Sequence, residues 1–248
     1  MSCNSLCQPG RKSRNICGLR AASSCRLDRS NSTGPNGLIG TDHFDAEFVA
    51  RGVGDKIDCM VAPTLAYGMS QHHLGFAGSV TLRPSTLIAV VGDVVHSLLR
   101  HGFERFLFIN GHGGNVATVT AAFDEVYADV SMRGDMSPVR GKMVFWSGGP
   151  RCHALAQELY GDSNGSHATA AEVSLSQFYH PHFVKHAQMS PKVAPKSKGF
   201  YDSADFRRRF PDGRIGSDPS LSSPEDGERL YAAAVEDMAE IYNAFMSD

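Results

Sequence analysis

A short apolar run, Phe106-Leu107-Phe108-Ile109, leads directly into the turn Asn110-Gly111-His112-Gly113-Gly114-Asn115, and a helical pattern begins at Val116. Consecutive apolar residues bounded by a glycine-rich turn fit a strand buried on both faces, as in parallel sheets. A parallel strand joined at once to a helix commits the chain to an α/β plan. The rest of the chain follows the same alternation. Thr41 or Asp42 can cap a helix through Ala46–Val53 that Gly52 and Gly54 end, and residues 58–65 read as another buried strand. Ser85 caps a helix whose Leu87, Val90, Val91, Val94 and Leu98 share one face, and Gly102 stops it. Further expectations are a helix over 116–127, a strand over 142–146, and helices over 167–178 and 225–245. These elements predict a three-layer α/β/α fold around a mostly parallel central sheet. Residues 190–223, rich in Pro, Gly and Lys, interrupt the alternation and read as a surface excursion, either a lid or a subunit contact.

Length and charge narrow the field. A chain of 248 residues, 42% apolar, can bury one sizeable core. No apolar run reaches membrane-spanning length, and a formal charge of −2 gives no general reason to bind nucleic acid or an anionic membrane. The charge is unevenly spread. Residues 1–36 carry Arg11, Lys12, Arg14, Arg20, Arg26 and Arg29 against Asp28 alone, a local +5 that leaves −7 for the remainder. Four of the six cysteines (Cys3, Cys7, Cys17, Cys25) also fall there, in no zinc-site spacing. Without apolar periodicity, residues 1–36 are expected to lack order, and 37–248 to form one domain. A basic, Ser-rich, acid-poor start also describes a transit peptide. With only Cys59 and Cys152 in the body, a disulfide framework is not expected and a reducing cytoplasm fits.

Ligands in open parallel sheets gather at the carboxyl ends of strands, where His112 would lie. The glycines around it let the backbone turn tightly enough for an imidazole to enter a cleft. The plainer reading is a strand-to-helix turn with a capping Asn115 and an incidental histidine. Asp42 can bridge cations or merely cap a helix, the commoner use. His167 and Glu172 are five residues apart, about 500° on one helix, so they share a cleft only if His167 lies in the preceding loop. Glu172 stands among Ala168, Ala170, Ala171, Val173 and Leu175, an unusual setting for a solvated acid. Trp146, at a strand end, either stacks on a planar substrate ring or belongs to the core. A phosphate-binding role for Gly111–Gly114 is the weaker alternative, because the GxGxxG and GxxxxGK[ST] patterns are missing.

Together these segments resemble the creatininase family. The resemblance includes Tyr67-Gly68-Met69-Ser70, His73 and Phe76-Ala77-Gly78-Ser79, which are similar to the family's Tyr-Gly-x-Ser, His and Phe-Pro-Gly-Thr elements. Four separated motifs in the right order, from about Gly40 to the C-terminus, carry it. The resemblance implies a hydrolase with two divalent metal ions (Zn, Mn or Fe), commonly a homo-oligomer and often a hexamer. It implies cleavage of a cyclic amide, formamide or related non-peptide C–N bond by metal-activated hydroxide. Carried over, Asp42 bridges the metals, His112 binds one, and Ser70, His73, Gly113 and Trp146 contact substrate. Creatininase has a glutamate where this chain has Gly114. Relatives with the Gly-Gly version take the carboxylate from the later helix, which makes Glu172 a ligand and places His167 beside the substrate, either as proton donor or as a group that orients the amide.

The first family motif is missing. It reads approximately Leu-Pro-x-Gly-Ser-x-Glu-Gln-His-Gly-Pro-His, and its Glu and first His are ligands. Aligned on Asp42, this chain has Asn31 and Thr33 in their places. A site missing two ligands is expected to hold one cation or none, which would make the chain a non-catalytic family member. The codons suggest another origin. Read from the third base of Ser24, the bases fixed by residues 24–35 permit Leu-Pro-Ala-Gly-Ser-Ile-Glu-Gln-His-Gly-Pro, and loss of one base at Asn36 gives His and restores the frame at Gly37. Residues 1–36 are therefore expected to be an out-of-frame reading of the ligand-bearing strand.

Overall fold

The structure, a computed structural model, describes residues 33–248 and the backbone of a strand at Arg14–Leu19. Four strands, β1 (Arg14–Leu19), β2 (Met60–Val61), β3 (Phe103–Asn110) and β4 (Arg140–Phe145), form one sheet in the order β2-β1-β3-β4. Every pairing is parallel. Among the described residues, seven α-helices accompany the sheet: α1 (Thr41–Ile57), α2 (Pro84–Leu99), α3 (Val116–Ser131), α4 (Pro150–Tyr160), α5 (Ala170–Tyr179), α6 (Ser203–Arg209) and α7 (Pro224–Ser247).

β3 explains the layering. Successive side chains of a strand point to opposite faces. Phe106 and Phe108 pack with Leu87, Val91 and Val95 of α2 and Val119, Phe123 and Val126 of α3. Leu107 and Ile109 pack on the other side with Val49 and Val53 of α1, Leu175 of α5 and Leu230 and Met238 of α7. A strand covered on both faces has no solvent side to mark with polar residues, hence its unbroken apolar run. The three-layer α/β/α expectation holds. Among the described residues no helix is long and apolar enough to cross a membrane.

Several boundaries differ from the sequence reading. α1 runs through Gly52 and Gly54 to Ile57 and ends where Asp58 adopts a left-handed conformation, φ 52°. Its first turn is not capped by Asp42: the N-cap is Gly40, and Thr41 Oγ1 instead donates to the Leu38 carbonyl at 2.9 Å. The strand expected over 58–65 shrinks to Met60–Val61. α5 starts at Ala170, so His167 does lie in the preceding loop. The expectation that residues 1–36 lack order fails in part. A strand at Arg14–Leu19 pairs with both β2 and β3, and Asn36 is buried, its amide donating to the Pro219 carbonyl at 3.2 Å. Hydrogen-bonding partners on both sides supply what apolar periodicity did not. The sequence Arg-Asn-Ile-Cys-Gly-Leu is nonetheless unusually polar for a central parallel strand. Other expectations for residues before Thr33, Asn31 included, fall outside the described residues.

The chain goes from β1 outward to β2 and then crosses to β3 on the other side. Such a reversal leaves a crevice at the carboxyl end of the strands. β3 delivers Asn110 and His112 to it.

Candidate metal centre

Asn110 ends β3 and organises the turn after it. Its Nδ2 donates to the His112 carbonyl at 2.7 Å, and its Oδ1 accepts from the His112 amide at 3.2 Å and from Asn115 Nδ2 at 3.1 Å. Asn115 Oδ1 in turn accepts from the Met69 amide at 2.9 Å, tying the turn to the loop that carries Ser70 and His73. Two glycines are required by close packing. A Cβ on Gly111 would lie 1.9 Å from the Asp42 carbonyl oxygen, and one on Gly114 would lie 2.5 Å from His112 Nε2. The turn thereby rests directly on the start of α1.

That contact brings Asp42 to His112, with Oδ2 3.1 Å from Nδ1 and both residues buried. Glu172 approaches from α5, where Thr169 and Glu172 form a capping box. Thr169 Oγ1 accepts from the Glu172 amide at 3.1 Å, while Glu172 Oε1 accepts from the Thr169 amide at 2.9 Å. The residue as a whole keeps some exposure, but its carboxyl group is enclosed. Burial, and next the charge of Asp42, push its pKa up to about 8, against the lowering effect of the Thr169 hydrogen bonds. Asp45 lies one turn below Asp42, fully enclosed. Its Oδ1 accepts from Ser176 Oγ at 3.0 Å, and burial, followed by the charge of Glu172, raises its pKa well above the usual carboxylate range.

Histidines close the other side. His73 Nδ1 lies 2.9 Å from Ser70 Oγ, and its ring stacks on His167 with centroids 4.5 Å apart. His72 lies beside His73, ring centroids 4.1 Å apart. Burial lowers the pKa of both, to about 4 for His72, and the neighbouring imidazoles lower them further. Both rings are therefore neutral at pH 7. Phe206 of α6 sets its ring against His73 and His72 at 4.9 and 5.6 Å, so the 190–223 excursion covers the histidines.

The expected residues thus separate. Asp42, His112 and Glu172 converge, with His167 half-buried beside His73. Gly113 is exposed, and a Cβ there would meet nothing within 4 Å. Ser70 is fully enclosed and holds His73 instead of facing open space, so its expected substrate contact is not what the placement provides. Trp146 takes the second of its two expected places, in the core. At 2% exposure it packs with Leu107, Ile109 and Ala46, because the end of β4 faces the α1, α5 and α7 layer. Its amide donates to the Asn110 carbonyl at 3.0 Å, and its ring has no open face to offer a substrate. His72 and Asp45 escaped sequence reasoning. The doubled histidine was the only signal for one, and the three-residue spacing from Asp42, which puts two acids on one helical face, was the signal for the other.

The donor set suits cations. Two carboxyl groups, a third behind them and the neutral imidazoles of His72 and His73 share a mostly buried cleft, where the acids can ionise together only beside a positive partner. His73 Nε2, His112 Nε2 and Asp45 Oδ2 are buried with no hydrogen-bond partner among the described residues. Fold and site define an α/β protein with a buried histidine–carboxylate cluster at its strand ends, whose histidines could hold a metal ion. The family follows from comparison. The sequence model of the creatininase family, described as creatinine amidohydrolase, matches residues 32–242, and the chain belongs to that family of amidohydrolases. Mycofactocin precursor peptide peptidase of Mycobacterium ulcerans (strain Agy99) is 26% identical over 225 residues, spanning 85% of this chain and 80% of that protein. Creatinine amidohydrolase of Pseudomonas putida is 26% identical over 204 residues, 77% of each chain. Among solved structures, a manganese form of creatininase superposes with a TM-score of 0.72 at 23% identity, covering 92% of this chain and 89% of that one. A tryptophan-to-alanine mutant of creatininase gives a TM-score of 0.75 at 23% identity, covering 94% and 91%. Likeness at this identity establishes the fold.

Proposed function

We propose that this chain is a metal-dependent hydrolase of a non-peptide C–N bond in a small cyclic amide or formamide, with Asp42, His112 and Glu172 as cation ligands. The observation that carries the reading is the convergence of a buried aspartate, a buried histidine and a glutamate whose pKa is pushed to about 8, from three separate elements. The helix cap engages Oε1 of Glu172, and the Ala168 backbone also donates to this carboxyl group. When bound, divalent cations polarise a carbonyl oxygen and lower the pKa of water beside them. His167 holds the proton for the leaving nitrogen on a ring nitrogen. The loop carbonyl of His167 accepts from the Ile215 amide at 3.2 Å and from Ser217 Oγ at 2.7 Å, which fixes the backbone that carries its ring. Phe206 restricts water from the histidine side. The names of the two relatives differ in substrate, a peptide in one and creatinine in the other, and share cleavage of a C–N bond. Zinc, manganese or iron suits such donors. The assembly is a homo-oligomer in the cytoplasm, in keeping with the free, buried Cys152.

A second reading, a non-catalytic member, is favoured by Asn31 and Thr33 where two ligands belong. The polar composition of β1 supports the shifted frame over genuine loss of the motif. The test pairs a DNA read across these codons with an amidase screen of two proteins, the chain as it stands and one with residues 24–36 replaced by the shifted reading. Activity in the replaced protein alone supports both the frame shift and the hydrolase. A confirmed frame encoding Asn31 and Thr33, with no activity in either protein, leaves the non-catalytic reading.

A further inference from the structure

We propose that His72, His73 and His112 form a three-imidazole site that binds one Zn²⁺ or Co²⁺ ion using no residue before Thr33. The proposal rests on the metal half of the functional reading and not on the amide half. It gives His73 a ligand role in place of a substrate contact, while Asp42 remains a donor to the other cation and its Oδ2 holds Nδ1 of His112.

The three residues are 7%, 1% and 4% exposed, and each offers a ring nitrogen within 4.8 Å of the others. Ligand nitrogens around a tetrahedral zinc, with bonds of about 2.0–2.1 Å, sit about 3.3 Å from one another. Closure from the present spacing therefore takes a shift of about 1.5 Å at most, within reach of side-chain rotation. Orientation is the stronger argument. A metal-binding histidine gives one nitrogen to the ion and its other N–H to a carboxylate, carbonyl or hydroxyl that fixes the ring. Both better-anchored rings are arranged in this way. His112 Nδ1 is held by Asp42 Oδ2 at 3.1 Å and His73 Nδ1 by Ser70 Oγ at 2.9 Å, while Nε2 of each is buried with no partner among the described residues. An orphaned buried ring nitrogen is costly, and two of them beside a third imidazole point to a shared ligand.

The frame around them is built to hold position. His72 and His73 lie on a 3-10 turn, Gln71–His73, whose end is closed by the Phe76 amide donating to the His73 carbonyl at 2.9 Å. His112 is fixed by both hydrogen bonds to Asn110. Phe200 and Phe206 pack on His72 at 5.0 and 5.6 Å, drying one side. Three nitrogen ligands leave a fourth position open, the pattern of hydrolytic zinc sites. Imidazole donors favour zinc, cobalt, nickel or copper over magnesium and calcium.

The test titrates the chelator-treated full chain with Co²⁺, following visible absorption and equilibrium dialysis. His72→Gln and His73→Gln should each weaken binding by at least about tenfold and change the cobalt spectrum, while Asp42→Asn weakens binding by about 10–100-fold and leaves a cobalt spectrum of imidazole character. Far-UV circular dichroism without metal checks that the variants fold. Should either variant misfold, nitrogen NMR of the wild-type imidazoles decides. Zn²⁺ then shifts Nε2 of His73 and His112 and one ring nitrogen of His72. Unchanged affinity in both histidine variants, absence of those shifts, or no cobalt uptake by the wild type overturns the site. Cobalt uptake that depends on these histidines, in a protein that hydrolyses no amide, would refute the proposed function and leave this site standing.

Discussion

Substituting alanine at Gly111, Gly113 and Gly114 in turn asks whether the turn is built for the site or is only a flexible link. At Gly111 the added Cβ would lie 1.9 Å from the Asp42 carbonyl oxygen, against an ordinary contact of 3.4 Å or more, so backbone must move by about 1.5 Å. Neither side is the flexible end of a side chain, and overpacking of this kind costs about 1–3 kcal/mol or more. The movement also separates Asp42 from His112, and a misplacement of about 1 Å can cost on the order of 100-fold in activity. At Gly114 the clash falls on His112 Nε2 at 2.5 Å and the Met69 carbonyl at 2.6 Å, so displacement of the imidazole should weaken metal binding at least as much as it weakens folding. At Gly113 nothing lies within 4 Å, and alanine should be neutral or stabilise by about 0.4–1 kcal/mol through the unfolded chain. Urea denaturation gives stability, and equilibrium dialysis with zinc gives affinity. A Gly113→Ala cost equal to that of Gly111→Ala, or a Gly111→Ala cost below about 0.5 kcal/mol, would refute the packing argument.

Other consequences follow from the same structure. Trp146→Ala should destabilise by about 3–5 kcal/mol in chemical denaturation, as loss of a core residue does, whereas a substrate-stacking role would raise KM with little loss of stability. The metal-free protein should lose stability as pH rises from about 4.3 to about 8. Glu172 is raised to about 8 when folded and lies near 4.3 when unfolded, so its protonated form favours the fold at low pH and that contribution disappears as pH rises through 8. Zinc should abolish or reverse this slope in thermal melts, and a flat metal-free profile would contradict the burial assigned to Glu172. Burial pushes the Cys152 thiol up to about 12, so iodoacetamide at pH 8 should spare Cys152 in the native protein and label it only after unfolding, read by peptide mass spectrometry. Rapid labelling of Cys152 without unfolding would contradict its enclosure.

The fold was legible because β3 carries its evidence in plain form: an apolar run into a glycine turn can hardly be anything but a buried strand. The convergence of Asp42, His112 and Glu172 could be expected only through the family's spacing, since the three lie on α1, the β3 turn and α5 and nothing local links them. What stayed hidden depends on long-range packing. Trp146 sits at a strand end, where a ring can face a cleft or a helix layer, and only the position of α1, α5 and α7 decides between them. Ser70 reads as a substrate contact until its bond to His73 is seen. His72 and Asp45 had no motif to mark them, and their burial arises from α6 and α5 respectively. β1 is the opposite case. Backbone pairing places a strand where the side-chain pattern, polar and basic, gives no reason for one.

The measurement closest to the central claim is hydrolysis of a panel of formamides and cyclic amides by the zinc- or manganese-loaded protein carrying the shifted reading of residues 24–36. The account predicts turnover that stops with a chelator, falls by about 10²–10⁴-fold in His167→Ala, and is lost together with one of the bound cations in Glu172→Gln. No turnover of any C–N substrate, or turnover indifferent to chelator and to Glu172→Gln, would contradict it.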